Sequence, residues 1–205
     1  LPKDAVATRP GGMMARSAQL CVEITGKSVH LAHWREGADA LWAAALFLQR
    51  VYALAEREQT CLLRFGCCTS GTVNNAVSDR SRLEGSLRCF SDGQCLFGGM
   101  ERIARDVAAE TGCSLHVGRS DGYRAVTNDA ALLDAVRPAV PELREAPATY
   151  ITEDFSAYQR RVPGVFFLLG TGGEALHSPR FTFDESVLLT GAALLRRLAV
   201  LGDAV

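Results

Sequence analysis

Residues 19–25, Gln19-Leu20-Cys21-Val22-Glu23-Ile24-Thr25, alternate strictly, with Leu20, Val22 and Ile24 on one side and Cys21, Glu23 and Thr25 on the other. A period of two is the signature of a strand with one buried face. Gly26-Lys27-Ser28 ends it. Residues 38–57 then carry Leu41, Ala44, Ala45, Leu48, Val51, Tyr52 and Ala55 at helical spacing. Trp42, Leu46 and Phe47 lie off that stripe, and a helix apolar on two faces calls for two partners. Residues 61–69 predict a second strand, with Leu63, Phe65 and Cys67 on one side. Residues 81–90 predict a third, in which Leu83, Gly85 and Leu87 alternate with Arg82, Glu84, Ser86 and Arg88. Residues 92–110, with Ile103, Val107 and Ala108, predict a second helix closed by Thr111-Gly112, and residues 114–118 a fourth strand with Leu115 and Val117 inward. The order βαββαβ predicts a four-stranded antiparallel sheet with both helices on one face.

Outside this unit the pattern is less regular. Arg9-Pro10-Gly11-Gly12 predicts a turn after an extended lead-in, and Ser120-Asp121-Gly122 a turn at a domain boundary. The expected division is a lead-in over 1–16, the βαββαβ domain over 17–119 and a third segment over 120–205. In that segment residues 129–136 predict a short helix. Thr152 is placed to cap a helix over 153–161. The apolar run 165–169, between Pro163-Gly164 and Gly170, predicts a fully buried strand. A loop over 170–179 contains His177, and residues 184–201 predict a final amphipathic helix. One buried strand with a few helices cannot cover both faces of a sheet. The expectation is an incomplete α/β segment, so that the whole is α+β / α/β, with part of the protein outside this sequence.

The chain has 205 residues, 48% hydrophobic and 22% charged, with 22 basic and 23 acidic side chains. The near-zero net charge argues against a nucleic-acid binder, and no apolar run reaches the ~20 residues of a membrane span. The βαββαβ order also occurs in RNA-recognition modules, but their central strands carry aromatic residues and residues 82–89 have none. Seven cysteines, an odd number with no C-x-x-C pair, argue against a disulfide framework and a structural zinc site. They predict small buried side chains in a reducing compartment, here the cytoplasm. A zinc site from Cys67, Cys68 and His33 is disfavoured, because adjacent residues on a strand point to opposite faces.

Five stretches carry chemistry. These are Arg9-Pro10-Gly11-Gly12-Met13-Met14-Ala15; Gly26-Lys27-Ser28-Val29-His30; the run Gly71-Thr72-Val73-Asn74-Asn75-Ala76-Val77-Ser78-Asp79 with Leu83-Glu84-Gly85-Ser86-Leu87-Arg88; Glu153-Asp154-Phe155-Ser156; and Leu176-His177-Ser178-Pro179-Arg180-Phe181. In this order they resemble the amidohydrolase branch of metallopeptidase family 20, the aminoacylase, hippurate hydrolase and auxin-conjugate hydrolase group. The resemblance implies a dimerising lid domain followed by the C-terminal part of a catalytic domain. It also implies a homodimer through the lid, and two divalent ions, zinc or manganese, per complete active site. The reaction implied is hydrolysis of the amide bond of N-acyl amino acids by a metal-activated water. The N-terminal half of the catalytic domain, which supplies most metal ligands in that family, has no counterpart here.

The resemblance assigns His177 as a metal ligand, His30 as the lid histidine that polarises the scissile carbonyl in the other subunit's site, and Asn75 and Arg88 as substrate contacts. Arg88 suits a carboxylate through its two-pronged guanidinium. Asn75 and Arg88 are expected near one another, facing a cleft. Other readings of the same residues are a loop histidine capping a turn, a turn asparagine and a solvated strand arginine. Glu153 and Asp154 read as helix-start acids. Leu31, Arg35, Ser78 and Ile151-Thr152 depart from the family pattern. With one matching ligand, the chain by itself is expected neither to hold metal tightly nor to turn over substrate. The alternative to an enzyme is a non-catalytic dimerisation or binding module.

Overall fold

The structure, a computed structural model, describes residues 1–91, 93–173 and 177–202. Asp92, where the second helix was expected to begin, and Leu176, which opens the last motif, lie outside the described residues. The chain divides into two compact units: Leu1–Met14 with Ala125–Val205, and Ala15–Arg124. Two short strands, β1 (Val6–Thr8) and β2 (Gly11–Met14), precede the second of these.

The unit Ala15–Arg124 contains β3 (Arg16–Thr25), α1 (Ala40–Ala55), β4 (Cys61–Ser70), β5 (Arg80–Cys89), α2 (Gln94–Thr111) and β6 (Ser114–Arg119). The strands form one antiparallel sheet in the order β4-β5-β3-β6. Alternation decides what is buried: Leu20, Val22 and Ile24 of β3 and Leu83 and Leu87 of β5 join Leu46, Phe47 and Val51 of α1 and Leu96, Met100 and Val107 of α2 in one core. The Asp39 carboxylate accepts from the Leu41 and Trp42 amides and caps α1.

Two details correct the sequence reading. The buried stripe of α1 is Ala40, Ala43, Ala44, Phe47, Val51 and Ala55, with Leu46 beside it, while Leu41, Trp42 and Ala45 are exposed. A helix apolar nearly all round does not fix its own phase, and here the small alanines seat its backbone close to the sheet. In β4 a bulge between Phe65 and Cys67 shifts the register. It pairs Cys67 with Glu84, not with a core position, so Cys67 leaves the side of Leu63 and Phe65. Of the seven cysteines only Cys89 and Cys113 are buried; Cys67, Cys68 and Cys95 are exposed.

The other unit is built from short pieces: β7 (Val126–Asn128), α3 (Ala130–Val136), β8 (Arg144–Glu145), α4 (Ser156–Gln159), β9 (Leu168–Leu169) and α5 (Val187–Gly202). β1 lies between β8 and β9, and β2 pairs with β7. The run 165–169 is half-buried and only its last two residues are strand. Their neighbour is β1 of this same chain, so the expectation of a fully buried strand lacking neighbours in the sequence is corrected. The helix expected over 153–161 is one turn from Ser156, preceded by Phe155 without a side-chain cap, so Thr152 does not cap it. The joint of this unit is Asn128, which sequence reading passed over. Its amide nitrogen donates to Thr8 Oγ1 (3.0 Å) and the Arg9 carbonyl (2.8 Å), and its oxygen accepts from the Phe166 amide (2.8 Å). One buried side chain thus ties three distant segments together.

Candidate functional site

His30 follows the end of β3 and caps a short 3-10 turn over Leu31–Glu36; its Nδ1 accepts the Ala32 amide proton at 3.2 Å. An accepting Nδ1 requires the neutral ring to carry its proton on Nε2, leaving that nitrogen as a donor on an exposed side chain. The surrounding backbone is zipped to the loop between β4 and β5. His30 bridges Ala76, the Leu31 amide donates to the Asn75 carbonyl (3.1 Å), and the Val77 amide donates to the Val29 carbonyl (2.8 Å). His30 and Asn75 therefore sit side by side on two cross-bonded segments.

Gly26 explains how the loop closes so tightly. Lys27 and Ala38 exchange both backbone hydrogen bonds, at 2.8 and 3.0 Å, and a Cβ on Gly26 would lie 2.0 Å from the Ala38 carbonyl oxygen. Only glycine permits that approach. Buried Ser78, where the family pattern has proline, is held by Ser70 Oγ (3.0 Å) and donates to the Arg80 carbonyl (2.9 Å).

Arg88 is elsewhere. It stands opposite Ser17 and Leu62, whereas the Asn75 loop enters β5 at Arg80. Eight residues at roughly 3.3 Å each put about 26 Å of strand between them. The expectation that Asn75 and Arg88 lie near one another is corrected: a hairpin loop and the far end of its strand cannot meet within one chain.

His177 is exposed and lies in the loop after β9, with φ +67. That left-handed conformation is unusual for a residue with a side chain. The loop after it is a turn in which the Ser178 hydroxyl accepts from the Arg180 amide (3.2 Å) and its carbonyl accepts from the Phe181 amide (2.9 Å). Glu153 and Asp154 precede α4, outside its first turn, and the Glu153 carboxylate accepts the Asp154 amide (2.9 Å). A one-turn helix has little dipole for them to offset, so the helix-start reading falls away. Among the described residues no three His, Cys, Asp or Glu side chains converge as a metal site requires. The described residues thus do not make a dinuclear centre by themselves. No described helix is long and apolar enough to cross a membrane.

Comparison with known proteins gives a consistent picture. Residues 4–200 match the family model described as peptidase family M20/M25/M40. An N-acetyldiaminopimelate deacetylase of Lacticaseibacillus casei is 29% identical over 208 residues, covering 93% of this chain and 54% of that protein. An N-acetylcysteine deacetylase of Bacillus subtilis is 28% identical over 212 residues, covering 98% and 56%. A dinuclear metal-binding peptidase of the same family from Bacillus subtilis has TM-score 0.81 at 26% identity, over 98% of this chain and 54% of that one. A crystal structure from methicillin-resistant Staphylococcus aureus has TM-score 0.90 at 22% identity, over 98% and 55%. The chain spans about half the length of the curated relatives it matches.

Proposed function

Because this chain belongs to the peptidase family M20/M25/M40, we propose that it is part of a hydrolase that cleaves the amide bond of N-acyl amino acids. In this reading the unit Ala15–Arg124 is the lid and the other unit is the C-terminal part of the catalytic domain. The relatives named deacetylases act on acetylated amino acids by their names, which supports that substrate class. The observation that carries the reading is the His30–Asn75 pair. It offers an Nε2–H donor and a side-chain amide from a loop too tightly bonded to wander, the arrangement that holds and polarises a carbonyl.

Arg88 binds the substrate carboxylate, and its separation from the pair sets the assembly. About 26 Å of strand is too far for one small substrate, so His30 and Asn75 serve the site of one subunit and Arg88 that of the other. A homodimer supplies both, and the exposed Leu41 and Trp42 of α1, with the edge strand β4, are the surface it would bury. Zinc or manganese would supply the activated water and a Lewis acid. His177 is the ligand that this reading assigns among the described residues, and a longer form of the protein would supply the others.

The experiment compares this chain with a form extended to the length of the relatives. The extended form is expected to hydrolyse N-acetyl amino acids, with loss of turnover on chelation. The chain alone is expected to carry no stoichiometric zinc or manganese and to show no turnover. Chelator-sensitive hydrolysis by the chain alone would overturn the division of ligands. A second reading, a non-catalytic dimerisation or binding module, is favoured by the complete core of Ala15–Arg124; it would stand if the extended form dimerised and hydrolysed nothing.

A further inference from the structure

Cys61 opens β4 and Cys89 closes β5, and the two are direct cross-strand partners. The hydrogen bonds around them fix the type of pair. The Phe90 amide donates to the Thr60 carbonyl, and the Cys61 amide donates to the Glu58 carbonyl. In an antiparallel ladder the bonded pairs alternate, so 60/90 is a hydrogen-bonded pair and 61/89 is not. Non-hydrogen-bonded partners have Cα atoms about 4.5 Å apart, with their side chains at the closest approach a sheet allows. That falls within the roughly 4.4–6.8 Å that a disulfide spans. Both side chains are on the helix-facing side: Cys89 belongs to the core with Leu63 and Leu87, and Cys61 packs against it. Gly93, at φ +69, leaves room over Cys89, since a Cβ there would sit 3.1 Å from its Sγ. Other sulfurs lack this placement: Cys67 and Cys68 are adjacent in sequence, and Cys21 is separated from Cys67 by the whole width of β5.

We propose that Cys61 and Cys89 are a redox-active pair that closes to a cross-strand disulfide on reaction with a low-molecular-weight disulfide. Both residues are thiols in the structure. The half-exposed Cys61 thiolate attacks the small disulfide, forming a mixed disulfide and releasing one small thiol. The Cys89 thiolate then attacks the Cys61 sulfur and releases the second. The protein loses two protons and two electrons, and these leave with the reagent as two small thiols. The bridge would clasp the end of β5 at Arg88, which lies between Leu87 and Cys89 and opposite Leu62. Any effect on substrate rests on the role proposed for Arg88; the bridge itself does not.

The test incubates the folded protein with oxidised glutathione, blocks residual thiols with an alkylating reagent and maps peptides by mass spectrometry. The expected result is a linked peptide joining Cys61 to Cys89, lighter by two hydrogens and reversed by dithiothreitol, with Tm shifted upward. It should persist in Cys67→Ser/Cys68→Ser, which removes two exposed thiols, and be lost in Cys61→Ser. Recovery of Cys61 as the glutathione adduct with Cys89 still alkylatable would overturn the proposal. So would cross-links confined to Cys67, Cys68 or Cys95 of different chains, an absence of reaction at Cys61, or a 61–89 link that forms only in denaturant.

Discussion

The two units solve the problem of a stable interior in different ways. Ala15–Arg124 buries alternating strand residues against two helices, and its core is almost wholly apolar. The other unit has a small cluster of Ala7, Met13, Met14, Val126 and Ala146, pinned by the polar joint at Asn128. Its longest helix, α5, leaves Leu189 74% and Leu195 68% exposed. Both units leave apolar helix surface exposed, Leu41 and Trp42 on α1 and Leu189 and Leu195 on α5, but only Ala15–Arg124 has a large core built on regular strand alternation. This contrast is the physical ground for the proposal that the shorter-stranded unit belongs to a catalytic domain.

The contrast can be broken by substitution. Phe47→Ala, at a fully buried position of α1, is expected to cost about 3–5 kcal/mol in urea unfolding. Leu189→Ala, on the exposed face of α5, should stay within about 0.5 kcal/mol. A large cost at Leu189 would mean that α5 is already covered. Asn128→Ala leaves the Thr8, Arg9 and Phe166 polar groups without it, a loss on the order of 1–3 kcal/mol. Hydrogen exchange should quicken over residues 1–14 and 125–173 and stay unchanged over 15–124; equal quickening in both would show that the units are not separable. Arg88→Ala, in the active enzyme, should lower kcat/KM for substrates with a free carboxylate by an amount equivalent to about 1.5–3 kcal/mol. Equal losses on the matching amides would make the arginine structural.

The smallest expected effect is a pH-dependent one. The hydrogen bond from Lys3 holds the Asp184 carboxyl at about 2, down from 3.8, with help from the Ser186 amide. A depressed carboxyl contributes its stability in full above its ordinary pKa of 3.8 and loses it as pH falls through about 2. Both groups are solvent-exposed, so the contact should loosen in that window without unfolding the protein. The Asp184 carboxyl signal followed by NMR checks this, and Lys3→Ala should bring its titration back towards the ordinary value.

The regular unit was also the legible one. Strand alternation in residues 19–25 and 81–90 set the faces of β3 and β5, because one face is buried and a one-residue slip would expose every leucine. The phase of α1 was not legible, since apolar residues lie nearly all round it and only packing against the sheet chooses Ala40 over Leu41 for the interior. Nor was the bulge before Cys67, which depends on how β4 meets β5. In the other unit, the role of Asn128 was not legible because its partners, Thr8 and Phe166, are remote in sequence. The motif order singled out His30, Asn75, Arg88 and His177 as candidates, but not the grouping proposed for them. That came from the backbone bonds joining 29–31 to 75–77 and from the length of β5.

The claim that these groups serve different active sites is open to one direct measurement. In the active enzyme carrying this sequence, His30→Ala and Arg88→Ala chains, each strongly impaired alone, are mixed under conditions that allow subunits to exchange. If His30 reaches the partner's site and Arg88 stays in its own, each mixed dimer has one site with both residues intact. Statistical exchange should then restore about a quarter of wild-type activity. Activity that stays at the average of the two variants would contradict the account and return His30 and Arg88 to one site.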